Sequence, residues 1–517
     1  MTFEIVFVLL SLLGMVAALI ADKMRPGMIL FSVVVLFLCA GILTPKEMLE
    51  GFSNKGMITV ALLFLVSEGI RQSGTLGQVI KKLLPQGKTT VFKAQLRILP
   101  SVAFISAFLN NTPVVVIFAP IIKHWAKSVN LPATKFLIPL SYVTILGGIC
   151  TLIGTSTNLV VHGMILEAGF EGFSMFELGK VGIFIAIAGI IYIFLFSKRL
   201  LPDARPDTAV PDEEVEEGEK LHRVEAVLGA RFPGINKKLK DFNFQRHYGV
   251  EVKEIKTRNG QRFVTNLDDV VLHEGDTLVV MADDTFIPTW GESSVFVLLT
   301  NGNEPDTSGK KKRWFALLLL VLMIVGATVG ELPVTKEMFP DIKLDMFFFV
   351  SITTIIMAWT NLFPARKYTK YISWDILITI ACAFAISKAM VNSGVADSVA
   401  KFIIGLSDDY GPHVLLAMVF IITNLFTELI TNNAAAALAF PLALSISAQL
   451  GVSPTPFFVV ICMAASASFS TPIGYQTNLI VQGIGNYKFT DFVRIGLPLN
   501  IITFLISVIL IPLIWNF

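Results

Sequence analysis

The chain has 517 residues, 54% hydrophobic and only 15% charged, with 41 Lys and Arg against 39 Asp and Glu for a net charge of +2. Soluble domains carry roughly 25% charged residues, so this composition excludes a soluble globular protein, and the near-neutral balance gives no footing for a nucleic-acid partner. A mean hydropathy of +0.70 instead predicts a chain embedded in membrane lipid.

From the N-terminus, apolar runs at 3–20, 28–42, 57–66 and 181–197 predict membrane helices. A span needs about 20 apolar residues unless it is re-entrant or broken. The first run lacks the basic flank and small-residue cleavage site of a secretory signal, and further spans follow it. From about 202 to 313 the chain turns polar. Pro202-Asp203 and an acidic run from Asp212 to Glu219 open this insert, and Lys310, Lys311, Lys312 and Arg313 close it. Lys198 and Arg199 end the preceding span, so basic residues flank the insert on both sides and predict a cytoplasmic location. Within it, Val224 to Leu228 and Val250 to Ile255 are strand-like, and Asn236 to Phe242 predicts a short amphipathic helix. Arg258-Asn259-Gly260 predicts a hairpin turn, and Thr277 to Met281 a final strand after Gly275-Asp276. Apolar runs at 315–330 and 499–515 belong to a second membrane portion.

The expectation is a polytopic α-helical protein of the plasma (inner) membrane, surrounded by lipid, with a small α+β insert. Its domains would be a first membrane repeat at 1–201, the insert at 202–313 and a second repeat at 314–517. Cys39, Cys150, Cys382 and Cys462 lie in apolar segments without metal-ligand spacing and read as core residues. No HExxH, GxSxG or GxxxxGK[ST] pattern is present, so the chain does not read as an enzyme.

The two membrane portions repeat each other. Residues 151–163 read TLIGTSTNLVVHG and residues 471–483 read TPIGYQTNLIVQG, identical at eight of thirteen positions at an offset of 320. The same offset pairs Ser67 and Gly74 with Ser387 and Gly394. Shifted by one, it pairs Ser106, Asn111 and Pro120 with Thr427, Asn432 and Pro441. Chance similarity between apolar helices would match Leu, Val and Ala, not Asn, Thr, Gly and Pro in order, so the repeat is genuine.

Each half carries two polar breaks in apolar sequence. One is Asn110-Asn111-Thr112-Pro113 with its mate Thr431-Asn432-Asn433-Ala434; the other is the Thr151–Asn158 loop with its mate Thr471–Asn478. Matched breaks in the halves of a repeated membrane protein are the best sequence pointer to a transporter's binding site. Unwound backbone offers carbonyl oxygens to a hard cation such as Na+. A helix restarting after the break offers free N–H groups and its positive dipole end to an anion. The blander alternative is helix caps and small-residue packing between spans; four breaks at near-constant offset favour a binding role. Glu428 and Lys388 are intramembrane ionisable candidates. Glu68 and Arg71 fall near a span end, and His162, whose mate is Gln482, suits packing or hydrogen bonding better than proton relay.

At these residues the chain resembles the divalent anion:sodium symporter family, whose members carry sulfate or di- and tricarboxylates. The marks are Asn110-Asn111-Thr112 and Thr431-Asn432-Asn433, with GGICTLIGTSTNLVVHG (147–163) and STPIGYQTNLIVQG (470–483) closest to the sulfate-associated branch. The resemblance implies inverted repeats, re-entrant hairpins, a homodimer and an elevator-type motion. It implies one sodium site at Ser106, Asn111 and Gly154, and another at Thr427, Asn432 and Ser470. The anion would sit between Asn110-Asn111-Thr112 and Thr431-Asn432-Asn433, beside Thr471 and Pro472. Asn110, Thr431 and Asn433 depart from the dicarboxylate pattern of Ser, Ser and Thr, which shifts the expected substrate toward sulfate.

The insert resembles the C-terminal subdomain of potassium-conductance regulators (RCK-C type). The matching stretches are Phe232-Pro233-Gly234-Ile235-Asn236-Lys237-Lys238-Leu239, Tyr248-Gly249-Val250-Glu251-Val252 and Leu272-His273-Glu274-Gly275-Asp276-Thr277-Leu278-Val279-Val280. The likeness implies a dimerising module or one that binds a nucleotide-type ligand. The resulting expectation is sodium-coupled import of sulfate. The alternatives are a dicarboxylate or amino-acid carrier or exchanger and, from another class, a ligand-gated channel, for which no TVGYG-like filter is present.

Overall fold

The computed structural model describes residues 3–21, 24–203, 222–229, 232–257, 261–283, 286, 290, 295–300, 310–339, 341–406 and 411–517. Among them, eight helices are long and apolar enough to cross a membrane.

The first half runs α1 (Phe3–Ala21), α2 (Pro26–Cys39), α3 (Pro45–Glu50), α4 (Lys55–Gln72), α5 (Thr75–Leu83), α6 (Val91–Ser106), α7 (Asn111–Ser128), α8 (Leu137–Gly148), α9 (Ser156–Glu167) and α10 (Gly179–Leu200). The insert holds α11 (Phe244–Tyr248) and five strands. The second half runs α12 (Lys310–Gly330), α13 (Pro333–Met338), α14 (Met346–Trp359), α15 (Tyr368–Tyr371), α16 (Trp374–Asn392), α17 (Val395–Leu406), α18 (Gly411–Leu429), α19 (Asn432–Leu450), α20 (Thr455–Ser466), α21 (Gln476–Gly485) and α22 (Phe489–Ile514). At an offset of 320 or 321 the starts of α2, α5, α7 and α9 fall on those of α14, α17, α19 and α21.

Helix ends follow local chemistry. Thr44 and Glu47 form a capping box on α3, and Asn54, Thr90 and Asp345 cap α4, α6 and α14. Left-handed backbone recurs at matched turns: Gly41 with Asn361, Gly74 with Gly394, and Asn130 with Gly451. Glycine and asparagine are the residues that tolerate this region, so each half spells the same turn with either one.

Helix α8 is buried along its whole length and α20 from Pro456 to Ser466, which matches their apolar character on every face. Small residues bring backbones together: a Cβ on Gly147 of α8 would stand 2.0 Å from the Ala103 carbonyl oxygen of α6. The halves interlock, with α7 packing on α21 and α9 on α19. Helices α10 and α22 run antiparallel. Lys180 near the start of α10 lies over the Trp515 ring past the end of α22, and the Tyr192 hydroxyl donates to the Ile495 carbonyl at 3.0 Å.

The insert's strands are β1 (His222–Leu228), β2 (Val252–Lys256), β3 (Arg262–Phe263), β4 (Thr277–Ala282) and β5 (Phe296–Thr300). They form one antiparallel sheet in the order β3-β2-β4-β1-β5. Phe232, Phe242, Phe244, Tyr248 and Phe296 build its core.

Two sequence expectations for the insert are corrected. Asn236–Phe242 is not an amphipathic helix: Asn236 has a φ of +62° and bonds Leu272 O, Leu239 N bonds Val270 O, and only Leu239–Asp241 makes a 3₁₀ turn. The backbone is drawn sideways onto 270–272, and the helix forms later, over Phe244–Tyr248. The Thr277 strand is not the last, because β5 pairs on the far side of β1. The expected turn at Arg258-Asn259-Gly260 lies outside the described residues, though Ile255 and Phe263 on either side of it are paired.

The insert rests on the membrane helices. Lys123 Nζ on α7 donates to both oxygens of Glu225 at 2.9 Å. Gly275, at φ +85°, meets Leu479 of α21 so closely that a Cβ would lie 2.3 Å from its side chain, and Thr277 packs at Gly483.

Candidate functional site

Four helices restart at the polar breaks: α7 at Asn111, α9 at Ser156, α19 at Asn432 and α21 at Gln476. Their N-cap residues are Asn110, Thr155, Thr431 and Tyr475, and none caps its helix with its own side chain. The first N–H groups of all four helices therefore stay available, with positive dipole ends behind them. Cross-half bonds tie the starts together. Thr112 Oγ1 donates to Gln476 Oε1 at 3.2 Å, and the hydroxyls of Ser156 and Thr157 donate to Asn433 Oδ1 at 3.3 Å. Position 112 matches 433 and position 156 matches 476, so one contact is made twice.

The loops before α9 and α21 are also built alike. Asn158 Nδ2 donates to Thr151 O at 2.9 Å and Gly148 O at 3.5 Å; Asn478 Nδ2 donates to Thr471 O at 3.1 Å and Ser468 O at 2.8 Å. The Thr151 and Thr471 hydroxyls take the Gly154 and Gly474 amides at 3.1 and 3.3 Å. They donate in turn to the Ala107 and Glu428 carbonyls. These buried amides hold the loops' orphan backbone groups, which would otherwise be costly to desolvate.

Two oxygen-rich nodes result. In the first, the Asn111 amide lies 2.8 Å from Ser106 Oγ. With its nitrogen toward the carbonyls of Thr144 and Gly154, at 2.9 and 3.3 Å, its oxygen accepts from the Tyr475 hydroxyl at 2.6 Å. In the second, Thr427 Oγ1 stands 2.9 Å from Asn432 Oδ1 and 2.6 Å from Ala465 O, the mate of Thr144 O. A Cβ on Gly474 would be 2.4 Å from Thr427 O, and one on Gly154 2.5 Å from Gly148 O. The oxygens of Ser106, Thr144 and Gly154 in the first node, and of Thr427, Asn432 and Ala465 in the second, are of the kind a hard monovalent cation takes.

The structure thus brings Ser106, Asn111 and Gly154 together, and likewise Thr427 and Asn432. Ser470 bonds the residue that follows Thr427: its amide donates to Glu428 Oε1 at 2.9 Å and its hydroxyl accepts from Asn500 Nδ2 at 2.9 Å. Asn110 lines a small pocket with Ser67 and Ser156, and Pro472 is buried in the second loop. Glu68 is closed off by Arg71 and Gln72 on its own helix.

Tyr475 and Asn500 are the residues sequence reading missed. The buried Tyr475 hydroxyl joins Asn111 of one half to Thr155, its own repeat mate, at 3.1 Å. An aromatic standing where the other half has threonine was the available signal.

A polar cavity of about 1200 Å³ opens beside this region, lined among others by Lys55, His162, Glu167, Glu331, Asp345 and Lys388. Gly330 and Glu177, also on its wall, lie at the ends of α12 and α10 remote from the insert. Leu159 lines both this cavity and the pocket at Asn110. The mate of Leu159 is Leu479, the residue against which Gly275 of the insert packs. The insert thus packs at the repeat mate of a residue on the cavity wall.

Among known proteins, the family profile described as citrate transporter matches residues 16–446 and 342–517. An uncharacterized transporter of Synechocystis is 30% identical, the match covering 94% of this chain and 93% of that one. An uncharacterized transporter of Escherichia coli is 25% identical over 99% of this chain and 100% of its own length. Sodium/sulfate cotransporter 2 of Chlamydomonas reinhardtii is 31% identical over 54% of this chain and 31% of its own.

Proposed function

We propose that this chain, which belongs to the citrate transporter family, is a secondary carrier that imports a small divalent anion, sulfate, together with sodium. The observation that carries this reading is the convergence of four uncapped helix N-termini between two oxygen-rich nodes. The N-termini suit an anion, and the nodes suit sodium. Under this reading the anion lies between Asn110-Asn111-Thr112 and Thr431-Asn432-Asn433, beside Thr471 and Pro472. One sodium lies at Ser106, Asn111 and Gly154, the other at Thr427, Asn432 and Ser470. A relative named for sodium/sulfate cotransport supports this choice of ion and anion.

The halves are read as inverted repeats, supported by the antiparallel run of α10 against its mate α22. Alternating access is read as an elevator-type motion in a homodimer, with the insert facing the cytoplasm, as the basic residues around it favour.

The test is uptake of radiolabelled sulfate into proteoliposomes with and without an inward sodium gradient. Sodium-dependent uptake that thiosulfate blocks and succinate does not is the expected result. Uptake of succinate or citrate with none of sulfate would overturn the choice of anion while leaving the site in place.

A further inference from the structure

We infer that the insert is a removable cover over a second vestibule, the repeat mate of the open cavity, and that transport requires it to lift from α7 and α21. The inference rests on the carrier reading above and deepens it by naming what regulates the site. The mate of the cavity wall can be followed residue by residue. Leu152, Leu159 and His162 line the open cavity, and at an offset of 320 they fall on Pro472, Leu479 and Gln482. On that side Gly275 of the insert meets Leu479, and Thr277 meets Gly483. Gln482, between Leu479 and Gly483 in the chain, is 2% exposed. Among the described residues neither its Oε1 nor its Nε2 has a hydrogen-bond partner, and the buried Thr277 hydroxyl has none either. An amide unmet at both ends is costly in a closed interior and is satisfied against water. The covered face is therefore furnished for an open one.

The joint that closes it is of a kind that releases. Val227 of β1 reaches the apolar cluster of the membrane helices, whereas the aromatic core of the insert is its own. The other contacts are the ion pair from Lys123 to Glu225 and the close approaches at Gly275 and Gly483. Polar joints between parts of one chain permit relative motion unless they are large and apolar. The joint also bridges the halves. Lys123 lies on α7, Leu479 and Gly483 on α21, and the starts of these two helices are tied by Thr112 and Gln476. The insert thus pins one site helix from each half, and a vestibule on this side opens only once it has left.

A lock tests this in the full-length protein. A Cβ on Gly483 would stand 3.9 Å from the Thr277 Cβ, within the span of about 3.5–4.5 Å that a disulfide needs. The double variant Thr277→Cys with Gly483→Cys should cross-link on oxidation, verified by mass spectrometry of the linked peptide. Its uptake of labelled sulfate into proteoliposomes should fall to background when oxidised and return with dithiothreitol. Equal uptake by the oxidised and reduced forms, with the cross-link complete, would overturn the inference. A second arm needs no transport. In detergent, a water-soluble maleimide should modify Gln482→Cys slowly while the joint is intact. Adding Lys123→Ala, which leaves Glu225 paired with Lys256 at 3.3 Å inside the insert, removes only the ionic contact to α7. Labelling at 482 should then run about tenfold faster, as expected for one lost charge-assisted hydrogen bond. The native Cys462, fully buried in α20, should stay slow in both proteins. An unchanged rate at 482, or an acceleration that Cys462 shares, would overturn the cover. If the wild-type protein moves no sulfate, the choice of anion has failed, and the labelling decides the cover by itself.

Discussion

At the scale of single residues, the site consists of amides and hydroxyls that each serve more than one backbone group. Asn111 and Asn432 each sit at the start of a helix and at the centre of an oxygen node. Replacing either with Ala should abolish sulfate uptake while leaving the protein folded by size-exclusion chromatography; retained uptake in both variants would move the site elsewhere. Tyr475 is the stricter test, because Tyr475→Phe keeps the ring and removes only the hydroxyl that joins Asn111 to Thr155. Leaving buried partners unsatisfied costs about 1–3 kcal/mol, so apparent sodium affinity should fall at least several-fold, measured as the sodium dependence of uptake. The sequence made Asn111 and Asn432 legible because repetition separates functional polar residues from incidental ones. Tyr475 and Asn500 have no like mate, and only the folded chain shows where their polar atoms lie. Ser470 was legible as polar, but its partner was not, because Glu428 and Asn500 are 72 positions apart.

At the scale of elements, the breaks work because glycine lets loop and helix approach each other. Gly474→Ala would set a Cβ 2.0 Å from Ser468 Oγ and 2.4 Å from the Thr427 carbonyl. Overpacking of that kind costs about 1–3 kcal/mol. The variant should lose uptake and unfold several degrees lower, whereas Gly405→Ala, with open space around it, should do neither. The membrane helices were readable from apolar runs, since length and composition decide whether a segment can span. The short elements of the insert were less so. Asn236–Phe242 has the right amphipathic spacing for a helix, yet long-range backbone bonds to Val270 and Leu272 take it away. Strand β5 lies beyond a stretch of weak pattern and depends on β1 for its pairing.

At the scale of the whole molecule, the insert is fastened to a helix of the site. Burial by itself would raise the Glu225 carboxyl, but Lys123 and Lys256, helped by Arg223, more than offset it and hold the group at about 2, below its ordinary 4.5. A depressed carboxyl contributes stability that is complete above its ordinary value and is lost progressively as pH falls from there to about 2. Docking of the insert should therefore not change between pH 5 and 8, measured by protease cleavage of the insert in detergent. Glu225→Ala would leave the buried Lys256 with Glu254 at 3.9 Å and would take from Lys123 of α7 the carboxylate it holds at 2.9 Å. Breaking a buried pair on one side costs about 3–5 kcal/mol, so this variant should be cleaved much faster at the same pH.

The doubled construction of the binding region also bears on direction. An anion held between Thr112 with Gln476 on one flank and Asn433 with Ser156 on the other meets nearly the same chemistry whichever compartment it came from. Such a passage has no valve of its own: reversing the ion gradient should drive efflux as readily as influx, with matching half-saturation. Any rectification must then come from the parts that exist once, and of these the insert, packed against α7 and α21, is the largest.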